Sequence, residues 1–246
     1  MIQRIQNLIL LLLTALELSA QPICDVRTFT IRDGLFSHDI SSIAQTDDDL
    51  MWFSTWNGIC CFDGYEFQTF RNQPGNNSSL SSNRILTVRP NSRNDIWFIS
   101  YDNHIYLYDT HQCKLRDVGG MIEKSSGKEF EARTIFPLSN GRSWIVGKNG
   151  NGSYIATDSL ICKGEGLVKY SPRGEATGNI MKVILDQYGE EWIFTDRGSS
   201  TLSGKKKAGI AANYLVDADG KTIIASDDAH VLLFGKNDRK GKNIAV

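Results

Sequence analysis

An all-β chain built from repeated four-stranded antiparallel sheets is predicted by three observations. Tryptophans recur at near-even intervals: Trp52, Trp97, Trp144 and Trp192 lie 45, 47 and 48 residues apart, and Ile223 takes the same place 31 residues after Trp192. Nine residues before each of these anchors stand Ile43, Val88, Ile135, Val183 and Tyr214, and twelve before stand Ile40, Ile85, Ala132, Ile180 and Ala211, so the flanking strands repeat with the anchors. Three residues before each anchor stand Asp49, Asn94, Gly141, Gly189 and Gly220, and six after stand Gly58, Asn103, Gly150 and Gly198, with Ala229 the exception. These types tolerate positive φ in tight turns. Two turns at fixed distances around a short apolar run read as strand, turn, strand, turn, strand. Four such strands in about 45 residues make a blade of a β-propeller, and the chain holds about five.

The first twenty residues differ in kind. Arg4 precedes the apolar run 8–13, and 18–20 ends in the small Ala20, the pattern of an export signal cleaved after residue 20. The run is shorter than the ~20 residues needed to cross a bilayer, so membrane attachment is expected only if the signal stays uncleaved. The mature chain, 21–246, is then periplasmic.

Residues 26–31 alternate enough for a strand, and 32–35 turn out of it into the first blade, near 26–71. Its strands are expected at 40–45, 51–55, 59–63 and 66–70, with Asp63-Gly64 as a hairpin turn. The linker 72–83, rich in Asn, Ser, Gly and Pro, is a loop by composition. A second blade near 80–118 offers strands at 85–88, 96–100, 105–108 and 114–118. The third, near 130–163, is looser, with strands at 133–138, 143–147, 153–156 and 160–163. In the fourth, near 177–203, 180–185 and 191–195 are clear, but 204–207, Gly and three Lys, replace a fourth strand. The fifth, near 210–246, has 213–216, 222–226 and 231–234. One blade cannot bury two apolar faces alone, so blades stack with Trp between them. Either 26–31 completes the fifth blade and closes the ring, or 242–246 is that blade's own fourth strand.

Composition excludes several functions. With 246 residues, 41% hydrophobic content and a net charge of -1, the chain can bury a large core and has no electrostatic reason to seek nucleic acid or an anionic membrane. Five cysteines are too few for a disulfide framework and read as buried core thiols. His38, His104, His111 and His230 form no metal-binding spacing. No nucleophile elbow or phosphate loop is present, and the acidic turns 47–49 and 217–220 do not continue into a calcium loop. No catalytic residue, metal or cofactor is therefore assigned, although paired carboxylates on separate blades leave a glycosidase or lyase as a distant alternative.

Topology places the loops that lead into the first strands and the turns joining second to third strands on one face. Those segments supply His38, Asn83 and Arg84, and Trp56, Asn57, Tyr101, Asp102, Asn103, Lys148 and Arg197. Aromatic faces beside amide, guanidinium and carboxylate groups suit an oligosaccharide, by stacking and hydroxyl hydrogen bonds. Trp56, off the anchor register, is the first choice.

The run 29–35, then Ile40, Ile43, an acidic turn, Trp52-Phe53-Ser54-Thr55, Asn57-Gly58 and Phe62-Asp63-Gly64, resembles the two-component regulator propeller repeat. That repeat builds the periplasmic sensor half of hybrid two-component systems of Bacteroides-type bacteria. The resemblance implies signal transduction through recognition of polysaccharide breakdown products. The chain has about five repeats where the first propeller of that family has seven, and no kinase or regulator motif, so it reads as a truncated or split sensor, or else as a free-standing small propeller. A protein-interaction scaffold, docking a second copy or a partner sensor domain, is the rival reading.

Overall fold

In the computed structural model, side chains and backbone are described for residues 26–73, 80–148, 151–171, 178–186, 188–196 and 201–202, and backbone alone for the remaining strands named below. The export signal, Cys24 and the expected strand 231–234 lie outside the described residues.

Blade one consists of β1 (Ile40–Gln45), β2 (Met51–Thr55), β3 (Gly58–Phe62) and β4 (Phe67–Phe70), hydrogen-bonded in that order. Blade two repeats it with β5 (Ile85–Pro90), β6 (Ile96–Ser100), β7 (Ile105–Asp109) and β8 (Lys114–Asp117). A helix follows, α1 (Val118–Ser126). Blade three comprises β9 (Ala132–Leu138), β10 (Arg142–Gly147), β11 (Ser153–Thr157), a short α2 (Asp158–Ile161) and β12 (Leu167–Tyr170). Blade four has β13 (Ile180–Leu185), β14 (Glu191–Thr195) and β15 (Gly198–Thr201). Beyond it come the three-stranded sheet β16 (Ala208–Ala211), β17 (Tyr214–Asp217), β18 (Thr222–Ile224) and the pair β19 (Lys236–Asn237), β20 (Asn243–Ile244). Every ladder is antiparallel.

The turn chemistry read from the repeat is what the backbone adopts. Asp49 and Asn94 both have φ 64°, Gly141 78° and Gly189 80°, so in four blades the position three before the anchor is left-handed. Gly58, at φ 125°, meets a second demand: a Cβ there would strike the Phe70 carbonyl oxygen. Each first strand also carries a bulge eleven residues before its anchor, between partners Ile40 and Ser42, Ile85 and Thr87, Ala132 and Thr134, and Ile180 and Lys182. A bulge re-aims the extra side chain. Ser41 Oγ donates to the Ile85 carbonyl at 2.6 Å, and Arg133 Nη2 donates to the Ile180 carbonyl, so in both cases the bulged residue clasps the first strand of the next blade.

Stacking produces one apolar core per blade interface. Trp52, Ile59 and Cys61 meet Ile85, Val88 and Phe98; Trp97, Ile99 and Leu107 meet Ile135, Ile145 and Tyr154; Trp144, Val146 and Ile155 meet Ile180, Val183 and Ile193. First strands of consecutive blades lie side by side through blade four, which sets them around a common axis.

Four expectations are corrected. Residues 26–30 are not a strand and Ile31–Asp33 is a 3₁₀ turn capped by Thr30; Phe29 lies over blade one, 4.8 Å from Phe62 between ring centroids, and among the described residues no ladder joins this segment to the fifth blade. The fourth strand of blade three is Leu167–Tyr170, because 158–161 coil into α2 first. The helix α1 was not expected: Asp117 caps it through Gly120 N at 2.8 Å, and Val118 and Ile122 bury into the core between blades two and three. Finally, Cys60, Cys61 and Cys162 are buried as expected, but Cys113 is exposed, in a turn at φ 50°.

Candidate functional site

At one end of blades two, three and four the same backbone bond recurs. The N–H of the residue four past the anchor donates to the carbonyl of the residue just before the first strand: Tyr101 to Arg84 at 2.8 Å, Lys148 to Glu131 at 2.8 Å and Asp196 to Asn179 at 3.1 Å. That bond brings the loops leading into the first strands and the turns after the second strands onto one face, as the repeat topology requires.

On this face the structure joins side chains from two blades. Arg84 carries its guanidinium carbon 5.2 Å from the Trp56 ring centroid and 5.8 Å from that of Tyr101. Both distances are within cation–π range. Trp56 is 54% exposed and Tyr101 57%, so each ring keeps a free area beside the cation. Asp102 stands next to Tyr101. Burial works to raise its carboxyl, but the Ser100 and Ser81 hydroxyls and nearby backbone N–H groups outweigh this and hold it below the ordinary carboxylate range. It is an anion held in place by those two serines, one residue from Tyr101.

The remaining predicted residues take various places. Asn57 donates to the Phe36 carbonyl and Asn83 accepts from Asn72 N at 2.7 Å, so each braces its loop. Asn103 turns at φ 65° and its carbonyl accepts from Ala132 N, tying blade two to blade three. His38 is exposed, Lys148 is half-buried at the turn of blade three, and Arg197 lies outside the described residues.

A second cluster escaped the sequence because its members come from separate turns. Asp95, Asp109 and Cys162 are all buried, with donor atoms within 4.8 Å of one another, the one such set close enough to hold a metal ion among the described residues. The Asp95 carboxylate accepts from Thr110 N at 3.2 Å and faces Arg93 Nε at 3.3 Å, an ion pair without hydrogen-bond alignment. Burial, aided by Asp95 and Asp109, pushes the Cys162 thiol up to about 12, so the thiol is protonated and donates to Asp95. The Cys162–Asp95 contact ties blade two to the end of α2, while Asp109 accepts from Gln112 N at 2.9 Å and keeps its other oxygen buried without a hydrogen-bond partner.

Asp158 adds to this tie, accepting from Ser143 Oγ at 2.7 Å and Ser92 Oγ at 3.2 Å. Burial pushes its carboxyl above the ordinary range, although both serines pull it down. A carboxyl raised on folding opposes folding once ionised, so its penalty grows as pH rises from the unfolded value to the folded one. Asp158→Asn, which keeps partners for both serines, is therefore expected to melt higher than the wild type at pH ~7 and to lose that advantage near pH ~3. Thermal melts at the two values test this.

Residues 34–57, which hold β1, β2 and Trp56, match a known family model. It is that of the two component regulator propeller. The match covers the first half of blade one, from the turn at Gly34 to Asn57. No curated protein matches the chain. Among solved structures it is similar to the extracellular domain of BT4673 of B. thetaiotaomicron, named for a one or hybrid two component system, at 16% identity and a TM-score of 0.48 over 90% of this chain and 30% of that one. It is also similar to the extracellular domain of BT3049 of B. thetaiotaomicron, at 15% and 0.38 over 89% and 34%, and to virginiamycin B lyase of Staphylococcus aureus, at 13% and 0.44 over 74% and 68%. The chain thus spans about a third of the length of the two extracellular domains. Among the described residues no helix is long and apolar enough to cross a membrane.

Proposed function

We propose that this chain is an exported propeller that binds an oligosaccharide on the face carrying Trp56, Arg84 and Tyr101, and that it serves as the sensing part of a regulator rather than as an enzyme. The observation that carries the reading is the guanidinium held between two half-exposed aromatic rings from adjacent blades. Flat rings stack on the apolar face of a pyranose, while Arg84 and Asp102 supply a donor and an acceptor for its hydroxyls. The regulator propeller match over residues 34–57 supports the sensing role, since Trp56 and Asn57 fall within it. Binding at a seam between blades also couples ligand to the relative setting of blades one and two, which a sensor needs in order to report occupancy.

The test is calorimetric titration of the folded chain with neutral and acidic oligosaccharides. Trp56→Ala is expected to weaken binding about tenfold, the loss of one stacking partner, with the melting temperature unchanged. If no sugar binds and the same face instead captures a second copy or another domain, the scaffold reading replaces this one.

A further inference from the structure

The anchor tryptophans are wired across the blade gaps by a rule. Trp97 Nε1 donates to Ser143 Oγ at 3.0 Å, and Trp144 Nε1 donates to Glu191 Oε2 at 2.7 Å. In each case the acceptor is the residue immediately before the next anchor. Applied to Trp52, the rule leads to Ile96, which has nothing to accept with. The consequence is visible: Trp52 is 3% exposed, and its indole N–H is buried without a hydrogen-bond partner. Trp192, the other anchor, bonds back to Asp186 at 3.0 Å.

The same two residues, Trp52 and Ile96, border a cavity, a cleft of about 420 Å³ between the outer strands of blades one and two. Its aromatic wall is mutually packed, with Phe70 4.9 Å from Tyr108 and both 5.9 Å from Trp52 between ring centroids. Arg71 and Lys114, both exposed, are its cations, and among the described residues no carboxylate lines it. An apolar cleft of this size with a few convergent polar groups is the usual form of a small-molecule site.

We propose that this cleft is a second binding site, separate from the sugar-binding face, for a small aromatic acid: its ring packs on the aromatic wall, a polar oxygen accepts from Trp52 Nε1, and its carboxylate meets Arg71 and Lys114. A hydroxyphenyl acid has this chemistry. Ile96 stands where the two following interfaces carry the acceptors Ser143 and Glu191.

Proton–nitrogen correlation spectra of the ¹⁵N-labelled full chain test it, with the Trp52 indole resonance assigned by its loss in Trp52→Phe. Titration with 4-hydroxyphenylacetate is expected to move that resonance saturably. Phenylacetate, which lacks the acceptor, is expected to bind about five- to tenfold more weakly, the worth of one buried hydrogen bond. Ile96→Ser, which restores the acceptor found at Ser143, is expected to shift the resonance unaided and to erase the difference between the two acids. A Trp52 resonance that neither acid moves, equal affinity of the two acids for the wild type, or a response confined to Trp56 would each overturn the proposal. The comparison of the acids on the wild type decides the matter even if Ile96→Ser does not fold.

Discussion

Replacing Trp97 with alanine is expected to lower the free energy of unfolding by about 3–5 kcal/mol, the range for deleting a large buried aromatic side chain. Trp97 is fully buried, and its ring sits in the core shared by blades two and three, α1 included. Little in the surroundings can collapse into the space, because the neighbouring strands are held by ladders on both sides of the gap. The change also leaves Ser143 Oγ without the indole donor, although Asp158 still accepts from that hydroxyl. Against a total of roughly 5–15 kcal/mol for a domain, the loss brings the chain close to its unfolding threshold. A urea titration measures it as a fall in midpoint at constant slope. The same change at Trp56, which contributes to no core cluster, is expected to stay within about 0.5 kcal/mol.

Glu191→Ala comes second, at about 2–4 kcal/mol. One buried carboxylate there serves three donors: Trp144 Nε1 at 2.7 Å, Asn140 Nδ2 at 2.9 Å and Arg142 Nη1 at 2.8 Å. Arg142 is about a third exposed and keeps water as a partner, so the ion pair itself contributes little. Most of the loss comes from stranding the indole N–H of a fully buried ring. Glu191→Gln, which keeps an acceptor oxygen of the same reach, is therefore expected to recover the greater part of the loss in the same titration.

The blades were legible because their constraints are local. A left-handed turn needs Asp, Asn or Gly, and a residue filling a blade gap needs to be large and apolar, so Asp49, Asn94, Gly141 and Gly189 and the four tryptophans mark the strands. Segments whose form depends on distant partners were not. Gly119-Gly120 in its first turn disguises α1, yet a Cβ at 119 would lie 2.8 Å from the His104 ring, which would have to shift to make room. The strand expected at 26–31 has the right alternation, but Phe29 packs on the rings of Phe62 and Phe67 and the segment enters no ladder among the described residues. Trp56, Arg84 and Tyr101 could be picked out singly as turn residues; that Arg84 bridges the other two follows from the seam between blades, which no spacing encodes. For the same reason Asp95, Asp109 and Cys162 carry no motif.

The claim that supports all the others is that tryptophans at even spacing lie buried between stacked blades, with the indole N–H groups of Trp97 and Trp144 bonded across the gaps. Hydrogen exchange of the five indole protons tests it directly. The account predicts slow exchange, governed by unfolding, for Trp97, Trp144 and Trp192, and fast exchange for Trp56. Exchange at Trp97 and Trp144 as fast as at Trp56 would contradict it.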